Sequence, residues 1–161
     1  MVARRPDPRA PRPPWVQVRR GVFATWRTAA GALRGCIGFP EPSRWLNEAV
    51  AQAAVQAALH DPRFDPVTLV ELPTLSLELS VLSPPTVVQD PLAVRAGEHG
   101  VIVRQGSWQG LLLPQVATEY GWDRDMLLAQ ACVKAGLAPD AWQQGATLSV
   151  FTAEVFGEGG V

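Results

Sequence analysis

The chain has 161 residues, 47% apolar and 18% charged, with a net charge of −1 at neutral pH. That is enough to bury about 70% of its unfolded surface in a single domain or two small lobes, and the apolar content excludes a disordered chain. No window approaches the ~20 apolar residues of a membrane span, and the opening "MVARRPDPRAPRPPW" has no apolar run behind its arginines, so a cytoplasmic protein is expected.

The charge is uneven. Residues 1–20 hold six arginines against one aspartate, which leaves the other 141 residues at a formal −6. An acidic body argues against a phosphate-binding face, and only the basic arm could serve as a nucleic-acid handle. Cys36 and Cys132 stand far apart without metal-ligand spacing, so free thiols are expected, with no disulfide, metal or cofactor.

In chain order, residues 1–15 read as a mobile Arg/Pro arm, because Pro6, Pro8, Pro11, Pro13 and Pro14 deny helix and sheet their donors. Residues 16–161 read as one domain. "VQVRRGVFATW", "RTAAGA" and "LRGCIGF" predict strand, turn and strand. "PSRWLNEAVAQAAVQAALHD" follows as a helix with Ser43 as N-cap, an alanine-rich buried face and a stop at Pro62.

In "ELPTLSLELSVLSPP" the alternation puts Leu75, Leu77, Leu79 and Val81 on a buried face and Ser76, Glu78 and Ser80 on a polar one. "HGVIVRQGSWQGLLLP" predicts a hairpin turning at Gly106 and Ser107, Asp123 to Ala135 a capped helix with Gly136 after it, and Thr147 to Phe156 a last strand. Hairpins mixed with helices, without regular alternation or repeats, give an α+β class.

The chemistry centres on Cys36. If Leu33 to Ile37 is a regular strand, Arg34 and Cys36 share one face, roughly 7 Å apart along the strand. A unit charge at about 7 Å favours a thiolate by roughly 2.4 kcal/mol at an effective dielectric of 20 but only about 0.6 kcal/mol in bulk water, so the pairing matters only in a cleft. The flanking Gly35 and Gly38 suit a close approach by a ligand or another backbone, or a bulge. His99, before a glycine at a strand entry, is the better of the two histidines as general base, and Glu78 could orient it or act as an acid. Against this stands the plain reading, in which Cys36 packs, His99 lies in a surface turn and Glu78 is solvated.

"LRGCIG" at 33–38, "DPRF" at 61–64, "EL" at 71–72, "ELSVL" at 78–82, "HG" at 99–100, "GLLLPQVA" at 110–117, "KAGL" at 134–137 and Trp142 occur in the order seen in the AMMECR domain family. Its prokaryotic members are also called AmmeMemoRadiSam system protein A, and the chain resembles them over roughly residues 21–158. The resemblance implies an α+β fold of two intertwined lobes, built on antiparallel sheets flanked by helices with a groove between them. It further implies that Arg34, Gly35 and Cys36 line that groove, with Glu78, His99 and Gln115 nearby. The family's activity is not established, and a Memo-like protein and a radical SAM enzyme are the partners it suggests.

Three functions are therefore carried forward. The first is thiol-dependent modification of an anionic small molecule or protein, with Cys36, His99 and Glu78 catalytic and Arg34, Gly35 and Gln115 binding substrate. The second is a non-catalytic interaction module, and nucleic-acid binding through the arm is a distant third.

Overall fold

The computed structural model describes residues 14–158, so the Arg/Pro arm expected over residues 1–15 lies outside the described residues up to residue 13. The chain divides into two compact units that meet in sequence at Leu79 and Ser80. The fold is α+β, with two four-stranded antiparallel sheets and three α-helices. No helix among the described residues is long and apolar enough to cross a membrane.

The first unit begins with a 3-10 turn, Pro14–Gln17, followed by the hairpin β1 (Val22–Arg27) and β2 (Leu33–Phe39). Strand β1 starts six residues later than "VQVRRGVFATW" suggests. Val18 instead donates its carbonyl to the amide of Leu46, the first residue of α1 (Leu46–Leu59). That contact replaces the expected Ser43 cap: the N-cap position is Trp45, which makes no side-chain capping bond. Leu46, Ala49, Ala53 and Ala57 form the buried face of α1. Small side chains let the helix settle close on the hairpin, where Trp26 Nε1 donates to the Ala54 carbonyl at 2.9 Å.

Strand β3 (Ser76–Leu82) carries the chain into the second unit. The first sheet has the strand order β2-β1-β3-β8, with β8 spanning Ala153–Gly157. The alternation expected along β3 fails at its end, because Ser80 and Leu82 are its buried residues. Ser80 is 2% exposed and is matched by Gln115, whose amide donates to its hydroxyl at 3.1 Å; a buried hydroxyl is tolerated when it is hydrogen-bonded.

The second sheet has the order β4-β7-β5-β6, formed by β4 (Thr86–Val88), β5 (Gly100–Gln105), β6 (Trp108–Leu112) and β7 (Thr147–Phe151). The hairpin β5-β6 turns at Gly106 and Ser107, and Gly106 has φ +61°. Helix α2 (Pro114–Tyr120) was not expected, although Pro114 at its first turn and the left-handed Gly121 after it are ordinary boundary signals. Helix α3 (Arg124–Lys134) matches its prediction closely. Asp123 caps the Met126 amide at 2.8 Å, and beyond the helix Gly136 at φ +81° lets the Leu137 amide reach the Cys132 carbonyl. Leu127, Leu128, Ala131 and Cys132 of α3 pack with Val101, Val103, Leu112 and Leu148 into the core of this unit.

The last predicted strand is two strands. It breaks at Thr152, whose backbone N–H donates to the Ser83 hydroxyl at 2.9 Å while its carbonyl accepts from the Ser83 amide at 2.9 Å. The residues before and after the break serve different sheets.

Candidate functional site

Strand β2 is an edge of the first sheet, so alternate N–H groups of β2 point away from its neighbour β1. Cys36 lies opposite Thr25 in the register, and its N–H donates outward to Asp61 Oδ2 at 2.9 Å. The two residues are therefore a non-hydrogen-bonded pair, the kind whose side chains lie closest. Accordingly the buried Thr25 hydroxyl donates to Cys36 Sγ at 3.2 Å. The sulfur is half-buried, so the expectation that it avoids the packed interior holds in part.

The register of the hairpin jumps at Arg34: Trp26 faces Gly35 and Arg27 faces Leu33. Arg34 is the extra residue of a β-bulge, which breaks the alternation and re-aims a side chain. The premise of a regular strand from Leu33 to Ile37 therefore fails where it was needed to place Arg34 beside Cys36. Its guanidinium is held instead by Glu71, with Nε and Nη2 on the two carboxylate oxygens, and lies over the Phe64 ring at 5.8 Å. The hydrogen bond from Arg34 holds the Glu71 carboxyl below its ordinary range, and Arg34 is raised in turn. Arg34 Nη1 is buried without a hydrogen-bond partner.

Gly35 also has a different reason for being glycine. A Cβ there would stand 2.1 Å from the Ala57 carbonyl oxygen, and one on Gly38 would stand 2.3 Å from the Phe23 ring. The space is filled by the chain's own helix and ring, so it is internal packing rather than ligand access that requires both glycines.

The cation coupled to Cys36 is Arg63. Asp61, which follows α1, accepts from the Arg63 backbone N–H at 3.0 Å, its Nε at 3.0 Å and its Nη2 at 2.7 Å, besides the Cys36 amide. The Asp61 side chain is 2% exposed and that of Arg63 is 56% exposed. The Arg63 side chain, against the opposing cost of burial, holds the Asp61 carboxyl well below the usual carboxylate range. Arg63 is raised, first by that bond and to a lesser degree by the charge Cys36 can carry. Its guanidinium also lies 5.6 Å from the Phe64 ring centre. "DPRF" thus builds a clamp: the aspartate pins the edge amide of Cys36 and fixes a cation beside the sulfur, in a body whose overall charge is negative.

The other expected residues have their own partners. Glu78 Oε1 is 3.6 Å from Arg27 Nη2. In the second unit His99 Nδ1 accepts from the Arg95 backbone N–H at 3.1 Å, which puts the proton of the neutral ring on Nε2, 4.0 Å from Glu98. A ring so engaged presents a donor, not the free lone pair a general base needs. Gln115 is bonded to Ser80. Among the described residues no group of three or more His, Cys, Asp or Glu is placed to hold a metal ion. Sequence reasoning missed Thr25, Asp61, Arg63 and Glu71. "DPRF" and "EL" carried three of them, and counting across the hairpin could have found Thr25.

The chain matches the AMMECR1 family over residues 2–156, a span that includes most of the Arg/Pro segment. Among similar proteins, Protein PH0010 of Pyrococcus horikoshii is 44% identical over 162 residues, covering 94% of this chain and 79% of that protein. Protein PF1979 of Pyrococcus furiosus is 45% identical over 156 residues, covering 91% and 74%. A crystal structure of the uncharacterized protein PH0010 aligns with a TM-score of 0.87 at 43% identity, covering 97% of this chain and 82% of that one.

Proposed function

Since the chain belongs to the AMMECR1 family, whose relatives here carry no assigned activity, we infer that its function rests on the Cys36 thiol, used as a nucleophile toward an anionic small molecule or protein. The observation that carries this reading is the pairing of a half-buried sulfur, receiving the Thr25 hydroxyl at 3.2 Å, with an Arg63 guanidinium fixed by Asp61. A hydroxyl donor and a cation both favour the thiolate, the form that attacks. Asp61 is fully committed as an acceptor, so the thiol proton leaves to water. The sulfur then forms a bond to an electrophilic carbon, and the leaving group departs with the electron pair. Arg63 attracts the anion, and Arg34, already neutralised by Glu71, shapes the site beside Phe64.

Peptide-mapped alkylation tests this. Folded protein should be labelled at Cys36 and not at the fully buried Cys132, and faster by iodoacetate relative to iodoacetamide than an unfolded chain is. Arg63→Gln should remove that preference and Arg63→Lys should restore part of it. An unchanged preference in Arg63→Gln would remove Arg63 from the site.

One observation favours a second reading, a protein-interaction module. Leu69 and Val70 are each 88% exposed in the turn leading to Glu71, an apolar pair of the kind partners cover. The companions to try are a Memo-like protein and a radical SAM enzyme. Under this reading Leu69→Ser with Val70→Ser abolishes co-purification with such a partner while Cys36→Ser keeps it, and the reverse pattern returns the function to the thiol.

A further inference from the structure

The second unit contains a cleft that the thiol chemistry does not use. Its volume is about 320 Å³, at the small end of ligand cavities and sized for one side chain or a small molecule. Ala153 and Val155 of β8 form an apolar wall, and the polar lining comes from Glu98, Gln115, Thr118 and Glu119. No lysine or arginine lines it. Arg95 reaches Glu98 at 3.3 Å, but that ion pair lies in solvent, with 71% of the arginine side chain exposed, and such a pair is easily exchanged for another cation.

Gln115 gives the cleft a preference. Its Nε2 is spent on Ser80, itself buried, and its Oε1 is buried with no hydrogen-bond partner. Native structures rarely leave such an acceptor empty, and what it lacks is a donor. Two carboxylates beside it ask for a donor that is also positive, and the wall of Ala153 and Val155 suits methylene groups.

We propose that this cleft binds an ammonium or guanidinium group on a short aliphatic stem, its N–H donors received by Gln115 Oε1 and the carboxylates of Glu98 and Glu119, its methylenes against Ala153 and Val155. The group can come from a free amine or from a lysine or arginine side chain of a partner protein. The site is independent of Cys36 and stands or falls without it.

The test titrates the ¹⁵N-labelled full chain with n-butylammonium, with Nα-acetyl-lysine methylamide and, as the matched anion, with butyrate, following backbone amide shifts. Both cations should give saturable shifts centred on Gly97, Gln115 and Thr118, with a dissociation constant on the order of 1 mM, as expected for so small a ligand. Butyrate should give none. Glu119→Lys, at an exposed position, should abolish binding with the spectrum otherwise intact, and Gln115→Leu should weaken it by about tenfold. Tighter binding of the lysine amide identifies a protein side chain as the source, and tighter binding of butylammonium a free amine. Butyrate binding as well as the amines, neither cation saturating, or Glu119→Lys retaining affinity would each overturn the proposal.

Discussion

Replacing Asp61 probes the clamp that organises the Cys36 site. Its carboxylate accepts four hydrogen bonds, from the Cys36 amide and from the amide, Nε and Nη2 of Arg63, and is 2% exposed. In Asp61→Ala the Arg63 guanidinium, already 56% exposed, turns to water, so the cost of about 3–5 kcal/mol for stranding a buried charge does not apply in full. What remains is the loss of an acceptor for the two backbone amides, at about 1–3 kcal/mol for each left unsatisfied. A loss of about 3 kcal/mol follows for Asp61→Ala, and about half of that for Asp61→Asn, which keeps one oxygen. Urea unfolding at neutral pH should show the midpoint falling by on the order of 1–2 M with an unchanged slope. The pH dependence has a fixed sign. Because Arg63 lowers the folded-state value of Asp61, the stabilisation is complete above the unfolded value near pH ~4 and is lost as the pH falls from there toward the folded one. The gap between wild type and Asp61→Asn should therefore narrow in acid below about pH 4. A change within about 0.5 kcal/mol for Asp61→Ala, the range of ordinary surface substitutions, or a gap that widens in acid would refute the reasoning.

Gly35→Ala should cost about 3 kcal/mol, because the new carbon meets the Ala57 backbone oxygen at 2.1 Å and α1 must move; Gly106→Ala, at φ +61° with open space around it, should cost only about 1 kcal/mol, and thermal melts of the two rank them. Thr25→Val keeps the shape but removes the hydroxyl that donates to Cys36 Sγ, so alkylation of Cys36 at neutral pH should slow by about tenfold with little loss of stability. Asp123→Ala removes the cap on the Met126 amide and should cost about 1 kcal/mol in urea unfolding.

The sequence was most legible where local chemistry alone decides structure. The α3 cap, the Gly136 stop and the turn at Gly106 follow from residue types with few competitors, and the structure has all three. Local reading failed where a distant partner decides. Ser43 lost its capping role because Val18 supplies the carbonyl that Leu46 needs. Ser80 is buried because Gln115, 35 residues on, satisfies it. The split at Thr152 depends on Ser83, and pairing across that distance leaves no periodic trace. At the site, Cys36 was found from its glycine-flanked motif, but its cation was misassigned. Alternation along a strand cannot reveal a bulge at Arg34, and the edge amide that calls for Asp61 exists only once the strand order is known.

The most direct measurement of the central claim is the alkylation rate of Cys36, resolved by peptide mapping, in the folded chain and in the same chain unfolded in urea, at neutral pH with iodoacetate. A thiol served by Thr25 and Arg63 reacts faster folded than unfolded, despite being half-buried. A folded rate at or below the unfolded one would reduce Cys36 to a packing residue and contradict the account.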